Sequence, residues 1–416
     1  MSSPSTGLDV VDAAELDRAG AGTEALPTVR GIRSGIAPIL ARLGSTARVR
    51  EELRDFAFDD VRRLAEVGIT LTGVPRVEGG AGGSLRDVAD VVIDIARADS
   101  NVAQALRPSF LVADQVTTRV DSPLRSKNLT RLHDKALFSG TGNERNGGAG
   151  GSVNTTARRD GDSYIVNGRK YYSTGGLYAS YFSSSAVTDD GDVIRFTVPA
   201  DRAGIECLDD FDAVGQRLTQ SGTTVFSDLR VFDDEVVHPA DSRADNPWPG
   251  SFAQLYLAAV QAGIAARALD DAVWFVQQKA RPIKHSSAAS SADDPYVRQT
   301  VGEIASRAHA ARAVVLIAAE ELQDLRENDH EDVRRAGARA AVIVAETGVI
   351  AIESALKAAE LLFDVGGGSI TDRDLGFDRH WRNARTAANH NPRQWKSAVV
   401  GAFHVAGQDP PGTGLF

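Results

Sequence analysis

The chain has 416 residues, 42% of them hydrophobic and 25% charged, with a formal net charge of −10. That length supports a substantial core, and that charge excludes nucleic acid or an anionic membrane as the main partner, because neither releases counterions to an acidic surface. A single cysteine, Cys207, excludes an intrachain disulfide and a thiolate metal cluster and fits a reducing cytoplasm.

Residues 1–27 are rich in Ser, Gly, Ala, Asp and Glu and lack a basic start and an apolar stretch. They read as a flexible arm and not as a signal peptide. The longest apolar runs, such as residues 313–319, are too short to span a bilayer, so a soluble, cytoplasmic protein is expected.

Residues 28–136 predict an N-terminal helical domain. Within them, residues 48–68 place Leu53, Phe56, Val61, Leu64 and Val67 near a helical period, and residues 86–98 repeat it with Val88, Val91, Val92, Ile95 and Ala96. The Gly-rich residues 73–84 between them form a turn-dense linker. Residues 137–245 change to the strand-and-turn pattern of a central β-domain. There, residues 162–172 predict a hairpin with Asn167-Gly168 as its two-residue turn, and residues 193–198 and 223–232 are further strands. Residues 246–416 return to helices at 251–278, 296–326, 330–364 and 374–405, the last broken at Asn391-Pro392. These predict a C-terminal four-helix bundle. Helices of about thirty residues exceed the globular average, and covering their outer faces predicts a homo-oligomer.

Near the C-terminus Arg379, Arg382 and Arg385 recur at spacings of three, on one helical face. His390 follows beside Pro392, so a titratable ring sits at a chain break next to an anion-holding stripe. The arginines either hold a phosphate or pair with Asp372, Asp374 and Asp378. Trp381 and Trp395 read as core anchors. The other histidines show no ligand spacing, so no metal is expected.

Three segments in order, Pro75-Arg76-Val77-Glu78-Gly79-Gly80-Ala81-Gly82, Val166-Asn167-Gly168-Arg169-Lys170 and Val214-Gly215-Gln216-Arg217, resemble motifs of the acyl-CoA dehydrogenase superfamily, and the likeness covers nearly the whole chain. It implies a mainly α fold: an N-terminal helical domain, a middle β-barrel or sandwich, and a C-terminal four-helix bundle, assembled as a homotetramer. Where dehydrogenases with a late base have Tyr-Glu-Gly-Thr, this chain has Asn389-His390-Asn391-Pro392. With the preceding Asp378-Arg379-His380-Trp381-Arg382-Asn383-Ala384-Arg385-Thr386, it is similar to the flavin-dependent monooxygenase branch, which includes dibenzothiophene-, indole- and amino-sugar-oxidising enzymes.

That branch implies reduced flavin (FADH2 or FMNH2) from a separate NAD(P)H:flavin reductase, with O2 as co-substrate. A C4a-(hydro)peroxyflavin would then oxygenate a small hydrophobic aromatic heterocycle, indole-like or thiophene-like. The alternatives are N-hydroxylation of an amine or amino sugar, acyl-CoA dehydrogenation, and a non-catalytic oligomeric binding protein. The branch often has a histidine where this chain has Ser109, within Leu106-Arg107-Pro108-Ser109-Phe110.

The resemblance also implies roles. His390 is the hydrogen-bond donor or acid at the oxygenating centre, or else a histidine favoured by a helix C-terminus. Thr174, with Ser173 as the register alternative, contacts the flavin edge, or is an ordinary polar strand end. Asn143 lies in the loop along the flavin, and residues 147–151 after it read as a mobile lid more than a phosphate cradle. Gln216, Arg217, Thr219 and Ser221 form the flavin-side segment. Arg281 reaches a neighbouring subunit's cofactor phosphate, or is a solvated helix-end charge. Gly366 and Gly367 make a turn near the cofactor, and Arg382 serves its phosphate.

Overall fold

The computed structural model describes residues 26–118, 121–145, 153–237, 250–282 and 284–412. Most of the expected arm and the glycine lid at 147–151 lie outside them.

Helix α1 (Val29–Leu53) starts where the Thr28 side chain accepts the Gly31 N–H at 3.0 Å. It ends at Arg54, which turns left-handed with φ 54°. Helix α2 (Phe58–Val67) follows, so the periodic stretch at 48–68 is two helices and not one. Periodicity reports which face is buried, and Val61 and Leu64 are buried. It does not report continuity, which the left-handed Arg54 breaks. The linker folds into short 3₁₀ turns before Ser84, whose capping box with Asp87 starts α3 (Leu85–Ala98). Helices α4 (Ser100–Thr118) and α5 (Pro123–His133) complete the N-terminal layer.

The middle region is one curled sheet of eight strands: β1 (Phe138–Thr141), β2 (Thr156–Asp160), β3 (Ser163–Lys170), β4 (Tyr181–Thr188), β5 (Val193–Pro199), β6 (Ile205–Cys207), β7 (Thr224–Phe232) and β8 (Val236–Val237). Their order is β6-β7-β3-β2-β4-β5-β8, with β1 parallel on β4. The turn expected at Asn167-Gly168 is absent: β3 runs through it, and the chain reverses between Asp160 and Ser163, where Gly161 has φ +63°. Long-range contacts override the local turn preference. Asn167 exchanges two hydrogen bonds with Asp228 of β7, at 2.8 and 3.0 Å, where the ladder bulges. A Cβ on Gly168 would overlap Thr155.

Helices α6 (Ser251–Gln278), α7 (Pro295–Glu327) and α8 (Val333–Leu361) pack along one another, and α6 and α7 also pack onto α3. The fourth bundle position is shared by α9 (Asp378–Ala388) and α10 (Arg393–Ala406), both against α8. By length and composition α6 is apolar enough to cross a membrane, but most of it is buried as the core helix. One apolar cluster joins Leu43 and Val91 to Phe275 and Ala355, while the sheet has its own around Val166, Phe196 and Leu229. Trp381 and Trp395 are not core anchors, being 44% and 65% exposed. On α9 the buried face carries Arg379, His380, Asn383, Ala384 and Ala387, which leaves Trp381 pointing outward.

Candidate active site

The buried helix α4 is the hub. On one side it meets the rim of the sheet, where three segments converge. Gly140 N–H donates to Thr174 O at 3.2 Å and Ser139 Oγ to the same oxygen at 3.0 Å. Ser173 N–H donates to Gly222 O at 3.1 Å, and Gly175 N–H to Thr219 O at 3.0 Å. Gly175, with φ +79°, lies so close to α4 that a Cβ would stand 2.6 Å from Ala105 O. Only glycine satisfies both conditions.

The hydroxyls at this rim form a directional chain. Thr219 Oγ1 donates to Gln216 O at 2.9 Å, so its one proton is committed. Ser221 Oγ, 2.8 Å from Thr219 Oγ1, must then donate to it, which leaves Ser221 free to accept from Thr174 Oγ1 at 3.0 Å. Tyr172 O, 3.5 Å from Thr174 Oγ1, is a second acceptor for the same proton. Ser173 is fully buried and accepts from Thr224 Oγ1 at 2.8 Å. Of the two register alternatives, Thr174 joins the chain and Ser173 sits behind it.

The segment before the chain is moulded to α9 and to the start of α4. Gly215 presses on the Arg382 carbonyl, where a Cβ would overlap. Gln216, at φ +56°, donates its N–H to Asn383 Oδ1 at 2.6 Å and its Nε2 to Ser100 Oγ at 3.3 Å. Its buried Oε1 has no partner. Leu218 N–H reaches Asn101 Oδ1 at 3.2 Å. Arg217 is half-buried. Asn143 is exposed, and its carbonyl accepts the Tyr171 N–H at 2.9 Å. Beside it Glu144 holds the buried Lys170 at 2.8 Å.

The arginine stripe divides. Arg379 pairs with Asp271 at 2.6 Å, not with Asp372 or Asp374, and His380 meets the same carboxylate at 2.7 Å. Burial, and then Arg379, push the His380 pKa down to about 4, while Asp271, despite burial that would raise it, is held far below the carboxylate range by the His380 hydrogen bond and by Arg379 and Arg267. Arg382 bridges Asp378 and Glu51, each at 2.7 Å, an engagement that competes with a phosphate role. Arg281 is exposed beyond the end of α6. Gly366 packs on Phe275 after α8, and Gly367 faces open space.

On the other side of α4, Arg107 Nη1 lies 3.3 Å from His390 Nε2. Arginine only donates, so Nε2 is the acceptor and the imidazole proton sits on Nδ1, 3.1 Å from Asn391 Oδ1. Burial and then the adjacent Arg107 lower the His390 pKa to about 3, so the ring is neutral at physiological pH. His390 keeps an exposed surface. Lys396, buried and 2.9 Å from Gln254 Oε1, has its pKa lowered to about 8 by burial and by Arg107. A small cavity adjoins, with Ala258, Ile352, Ala387, Asn391 and Lys396 in its walls.

Beside His390 and the Thr174 rim, which the sequence nominates, the structure places Arg107, Asn383 and Lys396, three residues not nominated from the sequence. A signal for Arg107 existed: a cation followed by proline inside an otherwise apolar helix. Ser109, the position expected to matter, instead accepts the Phe138 N–H at 2.9 Å and anchors β1.

Two family descriptions match the chain: "Acyl-CoA dehydrogenase, middle domain" over residues 142–229 and "Acyl-CoA dehydrogenase, C-terminal domain" over residues 255–395. Dibenzothiophene monooxygenase of Rhodococcus qingshengii is 30% identical over 387 residues, covering 88% of this chain and 91% of that protein. The chain belongs to the flavin-dependent monooxygenase branch of the acyl-CoA dehydrogenase superfamily. As such it works with reduced flavin and O2. A probable FMNH2-dependent monooxygenase, SfnC of Pseudomonas putida, is 28% identical over 83% of this chain and 88% of its own length. Among solved structures, TdsC of Paenibacillus sp. A11-2 with FMN and indole superposes with a TM-score of 0.86 at 24% identity, over 92% of this chain and 99% of that one.

Proposed function

We propose that this monooxygenase takes reduced flavin from a separate NAD(P)H:flavin reductase and oxygenates a small hydrophobic aromatic heterocycle, indole-like or thiophene-like. The observation that carries the reading is the polarity of the hydroxyl chain. Thr174 Oγ1 has two acceptors for its proton inside the protein, Ser221 Oγ and Tyr172 O, which frees its lone pairs to face the rim. Reduced flavin carries an N5–H there and oxidised flavin does not, so Thr174 suits the reduced form. The unpartnered Oε1 of Gln216 is a second acceptor suited to a flavin N–H. Asn143, Arg217, Thr219 and Ser221 would be further flavin contacts there, and the Gly366-Gly367 turn after α8 would be a separate contact with the cofactor. When bound, the flavin supplies the activated oxygen.

The chain's own residues do the rest. Arg107 presents N–H donors beside His390, whose neutral Nε2 orients the guanidinium. Ala258, Ile352 and Ala387 give the small cavity next to Asn391 and Lys396 a partly apolar wall. The dehydrogenase alternative needs a carboxylate base, and the described partners of His390 are Arg107 and Asn391. Exposed Trp274, Ile317, Ile350, Trp381 and Trp395 support a homotetramer covering the bundle, within which Arg281 would reach a neighbour's cofactor. A cytoplasmic location, where a reductase can meet the enzyme, completes the reading.

The test is a single-turnover experiment: full-length protein loaded anaerobically with reduced FMN, mixed with O2 and indole, with flavin absorbance and indole products followed together. Oxygenated indole forms in wild type and falls in His390→Ala and Thr174→Ala. If the flavin reoxidises as in buffer and indole is recovered unchanged, with and without a flavin reductase, the reading fails.

A further inference from the structure

Arg107 is a buried cation that no carboxylate answers. Among the described residues, two of the other buried arginines meet carboxylates, Arg50 with Asp99 at 2.5 Å and Arg379 with Asp271 at 2.6 Å. Arg131, without an ion pair, lies 4.2 Å above the Tyr181 ring and donates to Asn128 Oδ1 at 2.9 Å. Arg107 is 9% exposed, and its partners are a neutral imidazole and one carbonyl, Ala253 O at 3.3 Å. Its Nε, fully buried, has no acceptor. A guanidinium in this setting is costly unless something supplies the missing negative charge.

The surroundings have the same character. Asn391 Nδ2, next to His390, is buried with no acceptor. Lys396 is close enough for the Arg107 charge to act on it. His390 Nε2 is occupied by Arg107 and cannot donate. The cluster of Arg107, His390, Asn391 and Lys396 is therefore rich in donors and poor in acceptors, and a small, partly apolar cavity adjoins it at Asn391 and Lys396.

We infer that Arg107 is a specificity residue that binds an oxyanion on the substrate, a carboxylate or a sulfinate, so that the preferred aromatic heterocycle carries one acidic group. The inference rests on reading the surroundings of His390 as the substrate site. A guanidinium recognises such a group through paired N–H donors, and the unpartnered Nε with the second protons on Nη1 and Nη2 provides them.

The test is isothermal titration of the full-length chain, without flavin, with indole and with indole-3-carboxylate, which differ by the one anionic group. Wild type binds the carboxylate at least about tenfold more tightly, as expected for a charged hydrogen bond in a buried site. Arg107→Gln loses that preference while keeping its affinity for indole, and Arg107→Lys recovers part of it. If Arg107→Gln does not fold, the wild-type preference alone decides, and equal affinities overturn the inference. A second arm compares FMN with riboflavin. If Arg107→Gln weakens FMN about tenfold and leaves riboflavin unchanged, the oxyanion is the flavin phosphate, and the inference fails. No turnover is read, so loss of the carboxylate preference leaves the oxygenation reading standing. Retained preference without any oxygenation breaks only that reading.

Discussion

Acid should destabilise this fold through His380, well above the pH at which carboxylates titrate. The ring is buried, 4% exposed, on α9 with its Nε2 2.7 Å from Asp271 Oδ2. Burial and then Arg379 hold its pKa at about 4 against an ordinary value of 6.5. Near pH 7 both folded and unfolded chains carry the ring neutral, and nothing is gained or lost. Below 6.5 the unfolded chain binds a proton that the folded chain refuses until about 4. Each pH unit in that window costs about 1.4 kcal/mol, so the whole window costs about 3 kcal/mol. His390, lowered to about 3, acts in the same direction but is more open to solvent and contributes less. Asp271 itself, held far down, adds its own loss only below about pH 4. Replacing His380 with Gln keeps a donor for Asp271 and removes the titration. Urea unfolding of wild type and His380→Gln should be compared from about pH 7 to about pH 4.5. The variant starts less stable, but its stability falls with a shallower slope. Parallel slopes would refute the argument, because they would mean the buried ring is not the group taking up the proton.

Asn383→Ala leaves the Gln216 N–H without its acceptor and Glu51 without one donor. At about 1–3 kcal/mol for a buried unsatisfied group, flavin affinity should drop about tenfold or more in an equilibrium titration, with no change in indole binding. Gly215→Ala forces the flavin-side segment off the Arg382 carbonyl. Overpacking of this kind costs about 1–3 kcal/mol, visible as a lower thermal midpoint, and a neutral result would show that the loop moves freely. Glu144→Gln removes one side of the buried pair with Lys170, for a loss of about 3 kcal/mol. Burial alone would raise the Glu144 pKa, but bonds from Lys170 and Thr155 bring it down to about 2. Its stabilisation is therefore complete above about pH 4.5 and is lost as pH falls toward 2. The variant should lack that part of the wild-type acid transition in denaturation curves.

What this chain's sequence determined by itself is what depends on near neighbours. The buried faces of α3, α6, α7 and α8 follow from apolar spacing, the capping of α3 from Ser84 and Asp87, and the break between α9 and α10 from Pro392. His390 and Thr174 could be nominated from the sequence because the residue types around them are distinctive. Only the tertiary structure decided the rest. Asn167-Gly168 carries every local mark of a turn, yet it continues a strand because Asp228, 61 positions away, takes its side chain. Trp381 faces outward because the opposite side of α9 is occupied by Asp271 and Glu51. Arg107 and His390 are 283 positions apart, and no local pattern records their meeting. A buried charge is defined by what surrounds it, and those surroundings come from segments distant in the chain.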